Sequence, residues 1–181
     1  MIKNIKNFFP VFEDNLNLVF LDTAASALKP KKMIDTINLC YSKEYANIHR
    51  GLYALSADLT KRFEDVRFKV GKFIGSKSEN NIIFTKSATE GINLVVEKFS
   101  EKYLSEGDEV IISYLEHHAN IVPWHIAANK YRFKVVPIEL TKKGEIDYSD
   151  LKNKITSKTK FISLTHMSNV TGSITDFEII K

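Results

Sequence analysis

The stretch Ile82-Ile-Phe-Thr-Lys-Ser-Ala-Thr-Glu-Gly-Ile-Asn-Leu-Val-Val-Glu97 limits the fold more than any other part of the chain. Its first residues, Ile82 to Phe84, are β-branched or aromatic and predict a short buried strand. Lys86, Ser87, Ala88 and Thr89 then leave room for a ligand. Ile92, Val95, Val96 and Phe99 recur at helical spacing, so the chain becomes an amphipathic helix. A strand that passes through small hydroxyl residues into a helix N-terminus offers an anion free N–H groups and the positive end of the helix dipole. Ser87 and Thr89 can add hydroxyls, and Gly91 would allow close approach of a ligand or backbone. A plain Ser/Thr N-cap explains the same residues equally well.

The pattern repeats downstream. Val110–Ser113, Phe133–Leu140 and Phe161–Thr165 are apolar runs that predict strands. Ile121–Tyr131, with Pro123 in its first turn, and Asp147–Ile155 predict the helices between them. From Ile82 the order is therefore β-α-β-α-β-α-β, with strands apolar on both faces. This predicts an α/β fold built on an open, mostly parallel sheet with helices on both faces. In such sheets ligands sit beyond the carboxyl ends of the strands. Thr85–Thr89, Glu116–Asn120 and His166–Gly172 fall there, and all are rich in His, Asn, Ser and Thr.

The first 75 residues read differently. Met1–Pro10 is an apolar arm, with Ile2, Ile5, Phe8 and Phe9 expected to dock on the body. Leu18–Leu21 is a strand candidate running into Asp22-Thr-Ala-Ala-Ser26. Met33, Ile34, Ile37, Tyr41 and Tyr45 mark one helix, broken at Asn47–Gly51. Leu59, Phe63, Val66, Val70 and Phe73 mark a second, with Ser56 as its expected cap and Gly75 as its end. The expected division is an arm and helical segment over 1–75, capping one face or edge of an α/β domain over 76–181.

Charge and cysteine usage exclude several classes. The net charge of +4 comes from scattered lysines and only four arginines (Arg50, Arg62, Arg67, Arg132), so no basic stripe for nucleic acid exists. Cys40 is the only cysteine, which rules out an internal disulfide or a Cys-based metal site. Beside Ile37 and Tyr41 it is expected to be a small core residue. Met1–Asp14 lacks the apolar core of a signal peptide, and no window reaches the ~18 apolar residues of a membrane span. A cytoplasmic protein is expected.

Among the polar residues, His117 and His118 follow a strand end. A zinc site there would need a third ligand, and no carboxylate stands between His118 and His125. A flat imidazole is better suited to stacking on an aromatic ligand held by its phosphate. Asn169 is either such a ligand's hydrogen-bonding partner or a turn former beside Gly172. Arg50, next to His49, is either a carboxylate clamp or a solvated loop residue.

Five motifs together resemble a known family. Asp22-Thr-Ala-Ala-Ser26, His49-Arg-Gly51 with Leu55-Ser56, Ser87-Ala-Thr-Glu-Gly-Ile-Asn93, Glu116-His-His-Ala-Asn-Ile-Val-Pro-Trp124 and Ser168-Asn-Val-Thr-Gly172 are similar in order and spacing to the SufS-type cysteine desulfurases. These are class V aminotransferase-like enzymes dependent on pyridoxal 5'-phosphate, with the type I fold of such transferases. The resemblance covers nearly all of this chain but only the N-terminal part, a little under half, of a family member. It implies that Ala88, through its backbone, and Thr89 bind the cofactor phosphate. His117 would stack on the pyridine ring and assist proton transfer. Asn169 would bond the cofactor's phenolic oxygen or the substrate carboxylate. Ala24 and Ala25 would line the substrate pocket, with His49 and Arg50 near its entrance at a dimer interface. Ala88 departs from the family's frequent Thr or Ser.

The same resemblance implies L-cysteine as substrate, L-alanine and a persulfide as products, a homodimer, and a sulfur-acceptor protein for iron–sulfur cluster assembly. Three required residues have no match before Lys181: the Schiff-base lysine, the aspartate that pairs with the pyridinium nitrogen, and the nucleophilic cysteine. The chain alone is thus expected to be an inactive N-terminal fragment, or one half of an enzyme whose C-terminal half is encoded separately. A selenocysteine lyase, another class V activity and a non-catalytic scaffold remain as alternatives. The strands at Val110, Phe133 and Phe161 are expected to be mutual neighbours. The strand at Ile82 would lie as an unpaired apolar edge, leaving the chain alone poorly soluble or partly molten.

Overall fold

The computed structural model describes residues 5–180, so Ile2 and Lys181 lie outside the described residues. The chain forms two compact units that divide between Ile83 and Phe84.

In the first unit the arm makes two 3₁₀ turns, Ile5–Phe8 and Pro10–Phe12. Phe9 and Phe12 meet edge to face at 6.5 Å. With Ile5 they line an apolar hollow completed by Val19, Phe20 and Leu28; of the residues expected to dock, Phe9 is half-buried while Ile5 and Phe8 are 56% and 58% exposed. Leu18–Leu21 is not a strand. Lys6 Nζ donates to the Leu18 carbonyl at 3.0 Å and Leu21 is 89% exposed; no strand pairs with the segment among the described residues. Helix α1, Lys31–Leu39, starts after Pro30 and closes in a π turn, Cys40–Glu44.

Helix α2 spans Ala54–Phe73, and Gly75, at φ 73°, ends it in the left-handed conformation that glycine tolerates best. Ser56 does not cap this helix. It lies inside the first turn, fully buried, where its Oγ donates to the Asn47 carbonyl at 2.5 Å. A Cβ on Gly51 would stand 2.2 Å from that Oγ. The close approach of the 47–51 loop to α2 therefore requires glycine at 51.

Ile82 has the extended backbone expected of a strand (φ −97°, ψ 118°) but belongs to no sheet among the described residues. Its carbonyl accepts from Arg67 Nη1, and its side chain packs beside Gly71 of α2. Ile82 covers the helix, and an arginine stands where a neighbouring strand's donor would be. Ile83, beside it, is 71% exposed.

The second unit holds the sheet. Strands β1 (Glu109–Ser113), β2 (Lys134–Ile138) and β3 (Thr159–Ser163) are all parallel in the order β2-β1-β3. The expected mutual neighbours are thus neighbours, with β1 central and buried. Its side chains alternate between two cores. Val110 and Ile112 pack with Val96, Trp124, Ala127 and Phe133, under helices α3 (Ala88–Tyr103) and α4 (Val122–Tyr131). Ile111 packs on the opposite face with Ile138, Ile146 and Leu151, the last from helix α5 (Tyr148–Lys154). Helices therefore cover both faces, as the two-sided apolar strands predict.

The outer side of β2 is plugged. Pro137 has no N–H to offer and its carbonyl accepts from Lys154 Nζ at 2.7 Å. The next outward N–H, on Glu139, donates to Asp150 Oδ2 at 2.8 Å. Proline is tolerated on such an edge and not in a central strand. No helix among the described residues is long and apolar enough to cross a membrane.

Candidate functional site

The start of α3 is a cap with free donors beside it. Ser87 is the N-cap, its hydroxyl accepting from Glu90 N–H at 3.2 Å. Glu90 in turn reaches back to accept from Lys86 N–H at 2.5 Å, much as in a capping box. The Ser87 oxygen therefore serves the helix, while its O–H can still donate. The backbone N–H groups of Ala88 and Thr89, and the Thr89 hydroxyl, have no partner among the described residues. They are the orphan donors of a helix start, at the positive end of a helix of 16 residues. Among the described residues nothing requires glycine at 91, since an added Cβ would meet only Thr85 Oγ1 at an ordinary 3.6 Å.

Beyond β1 the chain turns through His118–Asn120 into α4. His117 stands at the N-cap of that turn, and its Nδ1 accepts from Ala119 N–H at 3.1 Å. A nitrogen that accepts carries no proton, so the neutral ring holds its hydrogen on Nε2. His118 meets it edge to face, with centroids 6.2 Å apart. Thr89, Asn93, His117, His118 and Ile126 line one open concavity of about 320 Å³. Thr89 and His117 therefore line the same concavity, whereas Ala88 is not among its lining residues. Glu97 braces its walls, accepting from Lys130 Nζ at 2.6 Å and Tyr131 OH at 2.9 Å across α3 and α4. These two bonds hold the Glu97 carboxyl below its ordinary range, the lysine contributing most.

Asn169 lies on the loop after β3, exposed, in a turn organised by buried Ser168, whose Oγ accepts from the N–H groups of Val170 and Thr171. Its amide has no partner among the described residues, and it is not among the residues lining the concavity. In the first unit, Ala24 and Ala25 sit exposed in a turn closed by the Asp22 carbonyl. His49 has a left-handed backbone (φ 67°). Its N–H donates to Thr60 Oγ1 at 2.9 Å, and its Nε2 lies 3.3 Å from Glu64. Arg50 is exposed.

A buried polar cluster at the ends of β1 and β3 was not foreseen as a unit. Glu116 Oε1 accepts from Ser113 Oγ at 2.5 Å and from Thr165 N–H at 2.9 Å; Oε2 accepts from Asn120 Nδ2 at 2.7 Å. Asn120 Oδ1 accepts from Trp124 Nε1 at 3.2 Å and Ser163 Oγ at 2.7 Å. The only signal in the sequence was a Glu, an Asn and a Trp at successive four-residue intervals.

Comparison with known proteins extends this geometry. The class-V aminotransferase family model matches residues 19–181. A cysteine desulfurase of Wigglesworthia glossinidia brevipalpis is 40% identical over 99% of this chain and 45% of its own. The cysteine desulfurase SufS of Plasmodium falciparum is 41% identical over 99% of this chain and 33% of its own. The chain thus spans less than half the length of these relatives. The apo cysteine desulfurase of Thermococcus onnurineus superposes with a TM-score of 0.90 at 30% identity, covering 99% of this chain and 44% of that one. The fold is that of the pyridoxal-phosphate-dependent cysteine desulfurases, in part, and the chain belongs to the class-V aminotransferase family.

Proposed function

We propose that this chain carries the phosphate-binding and ring-stacking portion of a pyridoxal phosphate site, as the N-terminal part of a cysteine desulfurase acting on L-cysteine. The observation that carries this reading is the single concavity shared by Thr89 and His117, next to the free N–H groups of Ala88 and Thr89. A doubly charged phosphate suits those donors, and a flat imidazole suits the ring it would carry. When bound, the cofactor supplies an electron sink for chemistry at the substrate's α-carbon. In this reading Ala88 and Thr89 hold the phosphate, and His117 covers the ring and presents Nε2–H as a proton donor. Asn169 bonds the phenolic oxygen or the substrate carboxylate. Ala24, Ala25, His49 and Arg50 keep the substrate-side roles that the resemblance implies.

The residues that would hold the cofactor covalently, pair with its ring nitrogen and take the sulfur have no match in this chain, so turnover requires them from elsewhere. A homodimer, a sulfur acceptor for iron–sulfur cluster assembly and a cytoplasmic location belong to the same proposal. The test is calorimetric titration of the chain with pyridoxal phosphate and, separately, with pyridoxal. Phosphate-dependent binding that is weakened by His117→Ala and displaced by inorganic phosphate supports the reading. Equal affinity for the two compounds, or no binding of either, refutes it.

A further inference from the structure

We propose that Glu116 and Asn120 are positioning residues that fix the ring nitrogen His117 presents to a ligand, an inference that rests on the cofactor reading above. The two side chains flank His117 in sequence, at one residue before and three after, and bond to each other at 2.7 Å, closing the loop across it. Both are at least nine-tenths buried, at 8% and 9% exposure, while His117 is exposed. A rigid base under an exposed ring is what a stacking imidazole needs.

Each bond in the cluster fixes the next. The Trp124 indole can only donate, so it sets which end of the Asn120 amide is oxygen. The amide nitrogen must then face Glu116, which leaves Oε1 to bind Ser113 at the end of β1 and Thr165 beyond β3. The loop is thereby tied to two adjacent strands and to α4. Asn120 N–H also donates to the His117 carbonyl at 2.7 Å. With the turn so held, Ala119 N–H points at Nδ1 and keeps the proton on Nε2.

A polarity exchange tests this in the 181-residue chain. Glu116→Gln sets two NH₂ groups face to face, and Asn120→Asp sets two carboxylates face to face. The double variant restores one donor opposite one acceptor, because the new amide donates to the new carboxylate, whose other oxygen still accepts from Trp124 and Ser163. The readout is the ¹⁵N signature of His117, assigned by its loss in His117→Gln, with pyridoxal phosphate affinity measured in parallel.

The expected result is a distinct Nε2–H tautomer in the parent, averaged ring signals in each single variant, and recovery in the double variant. Affinity should fall about tenfold in the single variants and return in the double one. Single variants that lower the melting temperature yet leave both the His117 signature and the affinity unchanged would overturn the proposal. A double variant that fails to recover would do the same, and it decides alone if a single variant unfolds. If the parent binds no pyridoxal phosphate, the cofactor reading fails, while the tautomer measurement still judges the clamp.

Discussion

Replacing Thr89 with valine separates binding from folding at the helix start. The side chains have nearly the same shape, and the exchange removes one hydroxyl. That hydroxyl has no partner among the described residues, so its loss orphans nothing within the protein. The bond that Thr89 does make, from Asn93 Nδ2 to its carbonyl at 2.8 Å, is a backbone contact and survives. Threonine and valine have similar helix propensity, so stability should change by no more than about 0.5 kcal/mol. A hydrogen bond to a charged group is worth about 1.5–3 kcal/mol. If Thr89 binds phosphate, affinity for pyridoxal phosphate should fall roughly ten- to a hundredfold, while that for pyridoxal stays put. Paired calorimetric titrations and a thermal melt supply the numbers. Equal losses for both ligands, or a melting temperature that drops with affinity, would show that Thr89 supports the fold and not the phosphate.

Ser87→Ala removes the α3 cap and should cost about 0.5–2 kcal/mol in denaturant unfolding; no measurable cost would mean another group caps the helix. Ile111→Ala, at the fully buried centre of β1, should cost about 2–5 kcal/mol, whereas Phe73→Ala, 91% exposed, should stay within about 0.5 kcal/mol. Glu97 and Asp150 both have carboxyls held low, chiefly by hydrogen bonds from Lys130 and Lys154 respectively. Their contribution is present above the unfolded carboxylate range and is lost as pH falls through the lower folded values. A melt that is flat from neutral pH into the acid range in the wild type, yet falls in Glu97→Gln, would contradict this. The chain alone should associate at high concentration, because Leu21, Leu52, Phe73 and Val170 are each at least 80% exposed. Sedimentation as a monomer at high concentration would refute that expectation.

What the sequence made legible was what lies in short windows. The runs at Val110, Phe133 and Phe161 needed only local composition to be read as strands, and their two-sided apolarity foretold helices on both faces. The small residues before α3 marked the start of that helix in the same way. Pairing is a different kind of property. Ile82–Phe84 and Leu18–Leu21 have strand composition, but a strand exists only with a partner, and apolar character alone does not distinguish a sheet from the flank of a helix. Ser56 shows a related ambiguity. A serine near a helix start reads as a cap, yet here its hydroxyl serves a loop nine residues earlier. The Glu116–Asn120 pair escaped because charge beside a strand end usually means solvent, and burial becomes visible only when β3 delivers Thr165 and Ser163.

The plugged side of β2 has a consequence for how the sheet can be extended. A strand approaching that side finds no donor at Pro137, a carbonyl already occupied by Lys154, and the Glu139 N–H already spent on Asp150. Along β3 no side chain blocks the outer backbone in this way among the described residues. Addition of further strands therefore has a direction built into it. The 137–139 stretch thus opposes strand addition at β2, so a peptide designed to extend the sheet should be matched to β3.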